Sequence, residues 1–450
     1  MVFVKVVVLS FCLLNFCFVK TQGRQAIKPC ADVEDIVKDL SGLHINQADN
    51  SNLKCTLDIQ KDLSKPHELQ PLYIVPNRSN FWQPNLKGQI EIPHGASIEL
   101  YCTKSFANAT DNNSTLQKIP KNTRTLKPLC LQDKTFILHG EKFEFQQFVC
   151  TRPVRYTVER TSKVCTENGA HIYRVGFNIT KQRFIETMKI CHNDNLLSTH
   201  YTQHMLLPGS LHYQKYVKRL NFSKAGYFND YNVQFLYSRK NQNEKAVTLL
   251  EGNHAQYFDN SSFFLSRGHL AAKADFIYAS QQRSTFTFLN VAPQWQSFNA
   301  GQWETMEDAV RKFIGKSQLE VDCYTGTHGV MELTANGGNK RLFYLAYDAN
   351  NNGILPVPKL YYRVIVDRKN RKRGIALVGV NNPHVTNSEL QNVDGYILCD
   401  DVREQVPWLR WIRNDKLTKG YMYACRVNEF ASVVEHLPKQ LLSVKELLIE

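Results

Sequence analysis

Beyond residue 19 the chain lacks any apolar run long enough to cross a bilayer, which excludes a bundle of membrane-spanning helices and stable membrane association through one. It has no CxxC pair, so a zinc ribbon has no ligand set. It has no internal repeat, which excludes a solenoid or propeller. It has no Asp/His cluster spaced for a second metal, which disfavours a two-metal phosphatase or phosphodiesterase acting on small molecules. The C-terminal leucines, Leu441, Leu442, Leu447 and Leu448, are interrupted by Lys445 and Glu446 and read as a helix face, not a lipid-attachment tail. Acidic residues are outnumbered, 41 Asp+Glu against 55 Lys+Arg, for a formal charge of +14. Such a surface attracts polyanions: nucleic acid, heparin-like glycans or anionic membranes.

What the chain does have begins with a leader. Lys5 precedes an apolar run over residues 6–19, and Gln22-Gly23 is a plausible cleavage neighbourhood. Residues 1–23 therefore read as a signal peptide and the protein as secreted and extracellular. Two of the 12 cysteines, Cys12 and Cys17, fall in this leader. Ten remain, an even number that suggests disulfides in an exported chain, with Cys399 and Cys425 a natural pair. Seven Asn-x-Ser/Thr acceptors, Asn77, Asn108, Asn112, Asn113, Asn178, Asn221 and Asn260, fit a glycoprotein on the same route.

At 450 residues the chain has room for two domains with real cores. Seven of the ten remaining cysteines precede residue 200, among strand-like pieces at 89–92, 97–102, 135–138, 143–148 and 171–177. Residues 24–200 are thus expected to be a β-rich, disulfide-containing N-terminal domain or propeptide. Residues 201–450 are expected to hold a second domain, with strands at 231–237 and 246–250 and further ones at 319–323, 342–346, 361–366 and 374–380. A helix is expected over 301–316, because Trp303, Met306, Val310 and Phe313, with Ile314 beside them, form one apolar stripe. The class is α+β, a mostly antiparallel sheet with packed helices.

The chemistry concentrates in residues 266–307. His269 is a candidate general base, since an ordinary imidazole is largely neutral at neutral pH. Arg267 offers a planar fork for phosphate, and Gly268 between them allows close backbone approach. Asn299 carries a hard, neutral oxygen suited to Mg²⁺. Glu307 is placed to orient a water from farther out, and Asn290 lies where a side chain reaches a cleft. Each has an ordinary alternative. His269 is then a surface or structural histidine, Asn299 a helix cap, Glu307 a solvated carboxylate paired with Arg311, and Asn290 a turn residue ahead of Pro293. Phe263, Phe264, Tyr278 and Trp295 are either stacking platforms for bases or core.

Arg267-Gly268-His269, Asn290-x-x-Pro293-Gln294, Asn299-x-Gly301-x-Trp303 and Glu307-x-x-x-Arg311, in this order, resemble the DNA/RNA non-specific endonucleases of the ββα-metal type. The run at 266–276 and the long cysteine-rich leader look most like the insect secreted double-stranded ribonuclease and salivary endonuclease type. The resemblance implies a ββα-metal nuclease core within a larger sheet. It implies His269 as general base, Asn299 as ligand of one Mg²⁺ (Mn²⁺ as a substitute), and Glu307 as a water-mediated metal contact. Asn290 would support the site, and Arg267 and Arg311 would act on phosphate. The partner implied is DNA and/or RNA, held through its phosphate backbone; no oligomeric state is implied. Basic residues outside these motifs, Lys215, Lys218, Arg219 and those at 368–373, are either cations that track that backbone or solvated surface charge. One departure is Ser266, where many members carry Asp. It supports an alternative, a secreted nucleic-acid or polyanion binder with weak or no catalysis. Arg239 is the nearest candidate for a further phosphate-contacting arginine of the family.

Overall fold

The computed structural model describes residues 53–449, apart from 108, 111–115, 118, 168, 229, 260 and 392–394. The expected leader, Cys30, Asn108, Asn112, Asn113 and Asn260 lie outside the described residues. Nine strands form one large sheet. Its first four are consecutive: β1 (Thr157–Val164), β2 (His171–Thr180), β3 (Arg183–Asn193) and β4 (Ser198–Leu206). Then β4 pairs antiparallel with β7 (Val321–Val330), β7 with β8 (Pro358–Asp367), β8 with β9 (Arg373–Val380) and β9 with β10 (Tyr421–Cys425). The short β11 (Glu446–Leu447) adds to β9 in parallel. Between β4 and β7 the chain makes helix α1 (Arg239–Leu249), strands β5 (Leu265–His269) and β6 (Val291–Trp295), and helix α2 (Glu304–Ser317).

The sheet buries both faces. On one, Leu206, Val321, Cys323, Tyr361, Ile365 and Leu377 pack against Trp303, Met306, Val310 and Ile314 of the α2 stripe. Burying each such side chain contributes about 1.5–3 kcal/mol. The expected helix is therefore present, and its fifth apolar residue, Phe313, stacks on Trp408 at 4.2 Å. On the other face Tyr201, Tyr324, Tyr362 and Val364 pack against Phe430 and Val434 from the segment that begins at α3 (Val427–Val433).

The expected boundary near residue 200 runs through this sheet. Strands β1–β3 precede it, yet β3 is hydrogen-bonded to β4 and, through it, to the rest. The residues before β1 form small sheets stapled by Cys55–Cys130 and Cys102–Cys150. Their core includes Phe177 of β2 and Ile185 of β3, so the lobe and the sheet share apolar packing. Residues Leu53–Glu450 make one compact unit. Cys165–Cys191 and Cys399–Cys425 are also bonded, the second as expected, and Cys323 is free and buried.

Two expected strands are helices. Residues 231–237 hold Val233–Leu236 in one helical turn, and 246–250 fall largely in α1. The cause is capping. The Asn232 side chain accepts from Phe235 N and that of Ser238 from Asn241 N, satisfying amides that a helix start leaves free. The C-terminal leucines are not a helix face either. Leu441 is buried in a short 3-10 turn and Leu447 belongs to β11. Among the described residues no helix is long and apolar enough to cross a membrane.

Candidate active site

Strands β5 and β6 pair antiparallel, with Ser266 opposite Gln294, Gly268 opposite Ala292 and His269 opposite Val291. They are followed by α2, which gives a ββα unit. The larger sheet fixes this unit in place. Tyr361 Oη of β8 donates to Ala292 O at 2.8 Å. Asn381 accepts from Trp295 N and donates to Pro293 O. From the other side, the Gln242 side chain of α1 both donates to and accepts from the Leu265 backbone, at 2.8 Å each. Gly268 is crowded by the Gln294 side chain and Tyr361 Oη, with no room for a Cβ. Its close approach is therefore to the protein's own core and not to a ligand.

His269, Arg267, Ser266, Asn299, Glu307 and Arg311 all line one cavity of about 810 Å³. The half-buried His269 ring lies 5.0 Å from both Phe222 and Phe286, centroid to centroid. Its Nε2 is buried without a hydrogen-bond partner. Burial, reinforced by the Arg219 and Lys273 cations, lowers the imidazole to about 3, so it is neutral at neutral pH. Arg267 lies over the Phe288, Phe222 and Tyr237 rings at 5.7–5.9 Å.

Asn299 does not cap α2. It opens a five-residue wide turn, Asn299–Trp303, that leads into the helix. Gly301 within that turn is required by close approach, since a Cβ there would sit 2.5 Å from Lys419 O. Asn299 Nδ2 donates to Ser266 Oγ at 3.1 Å. One turn into α2, the Glu307 carboxyl is pushed up to about 7 by burial. Asp275 and Glu304 reinforce that shift, and Arg363 and Arg311 oppose it.

Arg311 is not the partner of Glu307. Its guanidinium donates to buried Asp275 at 3.2 Å and lies 3.7 Å from Asp308. Asp275 is also bonded to Arg363 at 2.5 Å and His204 at 3.0 Å. Burial opposes its ionisation, yet Arg363, His204 and Arg311 hold this carboxyl well below the usual carboxylate range.

The family model for DNA/RNA non-specific endonuclease matches residues 168–430. The chain belongs to that family. Among relatives of this DNA/RNA non-specific endonuclease, a salivary endonuclease of Lutzomyia longipalpis is 28% identical over 303 residues, covering 66% of this chain and 69% of the relative. Salivary protein Tsal1 of Glossina morsitans morsitans is 24% identical over 317 residues, covering 68% and 76%. Salivary protein Tsal2A of the same fly is 22% identical over 404 residues, covering 88% and 94%, so that similarity extends well before residue 168.

Of the six candidate catalytic and metal-holding residues, Arg267, His269, Asn290, Asn299, Glu307 and Arg311, only Asn290 is not at this endonuclease's cavity. It is fully buried, accepts from Ala271 N and donates to Ala271 O and Thr285 O at 3.0–3.1 Å. It closes the base of the 270–290 loop and so fixes the end of β5, where His269 sits. Of the four aromatics, Tyr278 and Trp295 are core, while Phe264 lines the cavity under the Arg239 guanidinium at 3.9 Å. Sequence reasoning missed Lys273, Glu304 and Tyr213 at the cavity, and Asp275, Arg363 and His204 behind it. Asp275 was in plain view, six residues after His269, but only its burial beside three cationic or cation-capable groups marks it out.

Proposed function

We propose that this protein is a secreted, Mg²⁺-dependent endonuclease that hydrolyses phosphodiester bonds of DNA and/or RNA, duplex RNA included, with little sequence preference. The observation that carries the reading is the convergence of His269, Arg267, Asn299, Glu307 and Arg311 on one cavity.

The residues present fit a hard divalent cation. Asn299 commits its amide nitrogen to Ser266, and the carboxylates of Glu304 and Glu307 line the same cavity. Among the described residues no group of three or more His, Cys, Asp or Glu side chains is arranged to grip a metal. A cation held here would have few protein ligands, which suits Mg²⁺ because it usually keeps several waters. Asn299 would hold it directly and Glu307 through water. When bound, it would relieve negative charge on the phosphoryl group.

The side chains supply the remainder. The His269 imidazole, neutral at neutral pH and lining the cavity, accepts a proton from the attacking water. An imidazole near 3 is a weak base; burial is the main cause, and Arg219 and Lys273, which an incoming phosphate neutralises, add to it. Substrate binding relieves the cationic part of that depression and leaves the part due to burial. Arg267 and Arg311 meet the phosphate and its transition-state charge. Contacts to the sugar-phosphate backbone carry no base information, hence the low sequence preference. The four disulfides and the exposed Asn77, Asn178 and Asn221 acceptors support export and glycosylation.

The test is digestion of plasmid DNA and duplex RNA with Mg²⁺, with EDTA and with His269→Ala. Cleavage is expected to vanish in EDTA and to fall about 10²–10⁴-fold in the variant. Undiminished cleavage in either arm rejects this mechanism. Binding without any Mg²⁺-dependent cleavage favours a non-catalytic polyanion binder.

A further inference from the structure

We infer that Ser266 is a positioning residue that decides which atom of Asn299 faces the cavity. This rests on the reading of Asn299 as the group that holds the metal. Ser266 and Gln294 are register partners across β5 and β6, and Ser266 Oγ donates to Gln294 O at 2.9 Å. A hydroxyl has one proton. With that proton committed to the strand pair, Oγ can offer Asn299 only lone pairs, so the group it meets at 3.1 Å must be the amide nitrogen. Turning the carboxamide over would set its oxygen against an oxygen with no proton to give, which leaves a half-buried acceptor pair in repulsion. The strand hydrogen bond therefore propagates through Ser266 to Asn299 and leaves Oδ1 as the end presented to the cavity that both residues line.

This gives Ser266 a function of its own. An acidic side chain at 266 would accept from the same amide but add a negative charge beside the cation. The serine orients the carboxamide and adds none. The departure from Asp is therefore compatible with a working site, and it weakens the case for a purely binding protein.

The experiment measures Mn²⁺ binding to the full chain by electron paramagnetic resonance, without nucleic acid, for wild type, Ser266→Ala, Ser266→Thr and Asn299→Ala. Thermal unfolding of each variant reports whether it folds. Ser266→Ala is expected to weaken Mn²⁺ binding about three- to tenfold, the effect of losing one orienting hydrogen bond. Ser266→Thr, which keeps the hydroxyl, is expected to stay within about twofold of wild type. Asn299→Ala is expected to bind least. Should Ser266→Ala not fold, Ser266→Cys, near-isosteric with only a weak acceptor, carries the same expectation. Unchanged binding in Ser266→Ala beside a clear loss in Asn299→Ala overturns the role of Ser266 and leaves the metal reading standing. Equal losses in the Ala and Thr variants also overturn it. No loss in Asn299→Ala removes the metal reading, and this inference with it.

Discussion

Arg311 Nη1 donates to Asp275 Oδ1 at 3.2 Å, so a cation at the cavity wall is anchored to a carboxylate that is itself fully buried. The same carboxylate neutralises Arg363, which is also fully buried. Replacing it by a neutral group would strand the Arg363 guanidinium in the interior and leave Arg311 with Asp308 alone. Asp275→Asn is expected to destabilise the protein by about 3–5 kcal/mol, the usual consequence of breaking a buried pair from one side. Urea unfolding measures it; a loss under about 1 kcal/mol would mean that water reaches these arginines.

The Glu307 carboxyl, raised from 4.5 to about 7, ties stability to pH. A carboxyl with a raised folded-state pKa contributes stability that is full below about pH 4.5 and is lost as pH climbs through 7. Glu307→Gln removes the ionisation and should escape that loss. In EDTA the variant is expected to match wild type near pH 4 and exceed it near pH 8 by on the order of 1–3 kcal/mol. A gap that stays constant with pH would contradict the assigned environment.

Asn290 serves the site from behind. Asn290→Ala leaves the Ala271 amide and the Ala271 and Thr285 carbonyls without this partner in a buried place. A cost of about 2–4 kcal/mol is expected, with kcat falling more than KM because the end of β5 under His269 loosens. A pure KM effect would mean that Asn290 contacts substrate after all.

Arg219 is expected to act on phosphate from the rim. Arg219→Ala should weaken binding to duplex DNA of any sequence and reduce the slope of log K against log salt by about 0.9. It should also raise the His269 pKa, because Arg219 is one of the two cations that depress it. An unchanged salt slope would remove Arg219 from the nucleic-acid path.

A chain starting at residue 201 is expected not to fold. It would lack β1–β3, and the loss of Tyr173, Met188 and Ile190 would expose the core residues they cover, Leu206 and Leu289 among them. Circular dichroism of a 201–450 fragment, set against 53–450, decides this. A cooperative melt of the short fragment would make the leading region a removable propeptide.

The sequence by itself determined the candidate groups and their order. The α2 stripe of Trp303, Met306, Val310 and Ile314 was legible because one helix face buries at a fixed period. Arg267, His269, Asn299, Glu307 and Arg311 each have an ordinary alternative taken singly, and were legible through their joint order and the family resemblance it carries. Only the tertiary structure decided the rest. It moved Asn290 from the cavity to the frame, gave Arg311 to Asp275 in place of Glu307, joined β1–β3 to the sheet across the expected boundary, and brought Arg219 and Lys273 to the imidazole. Those outcomes depend on partners far apart along the chain, such as Asp275 with Arg363 or Lys273 with Val217. Local pattern carries no information about such pairs, because burial and Coulomb interaction act on distance in space and not on separation in sequence.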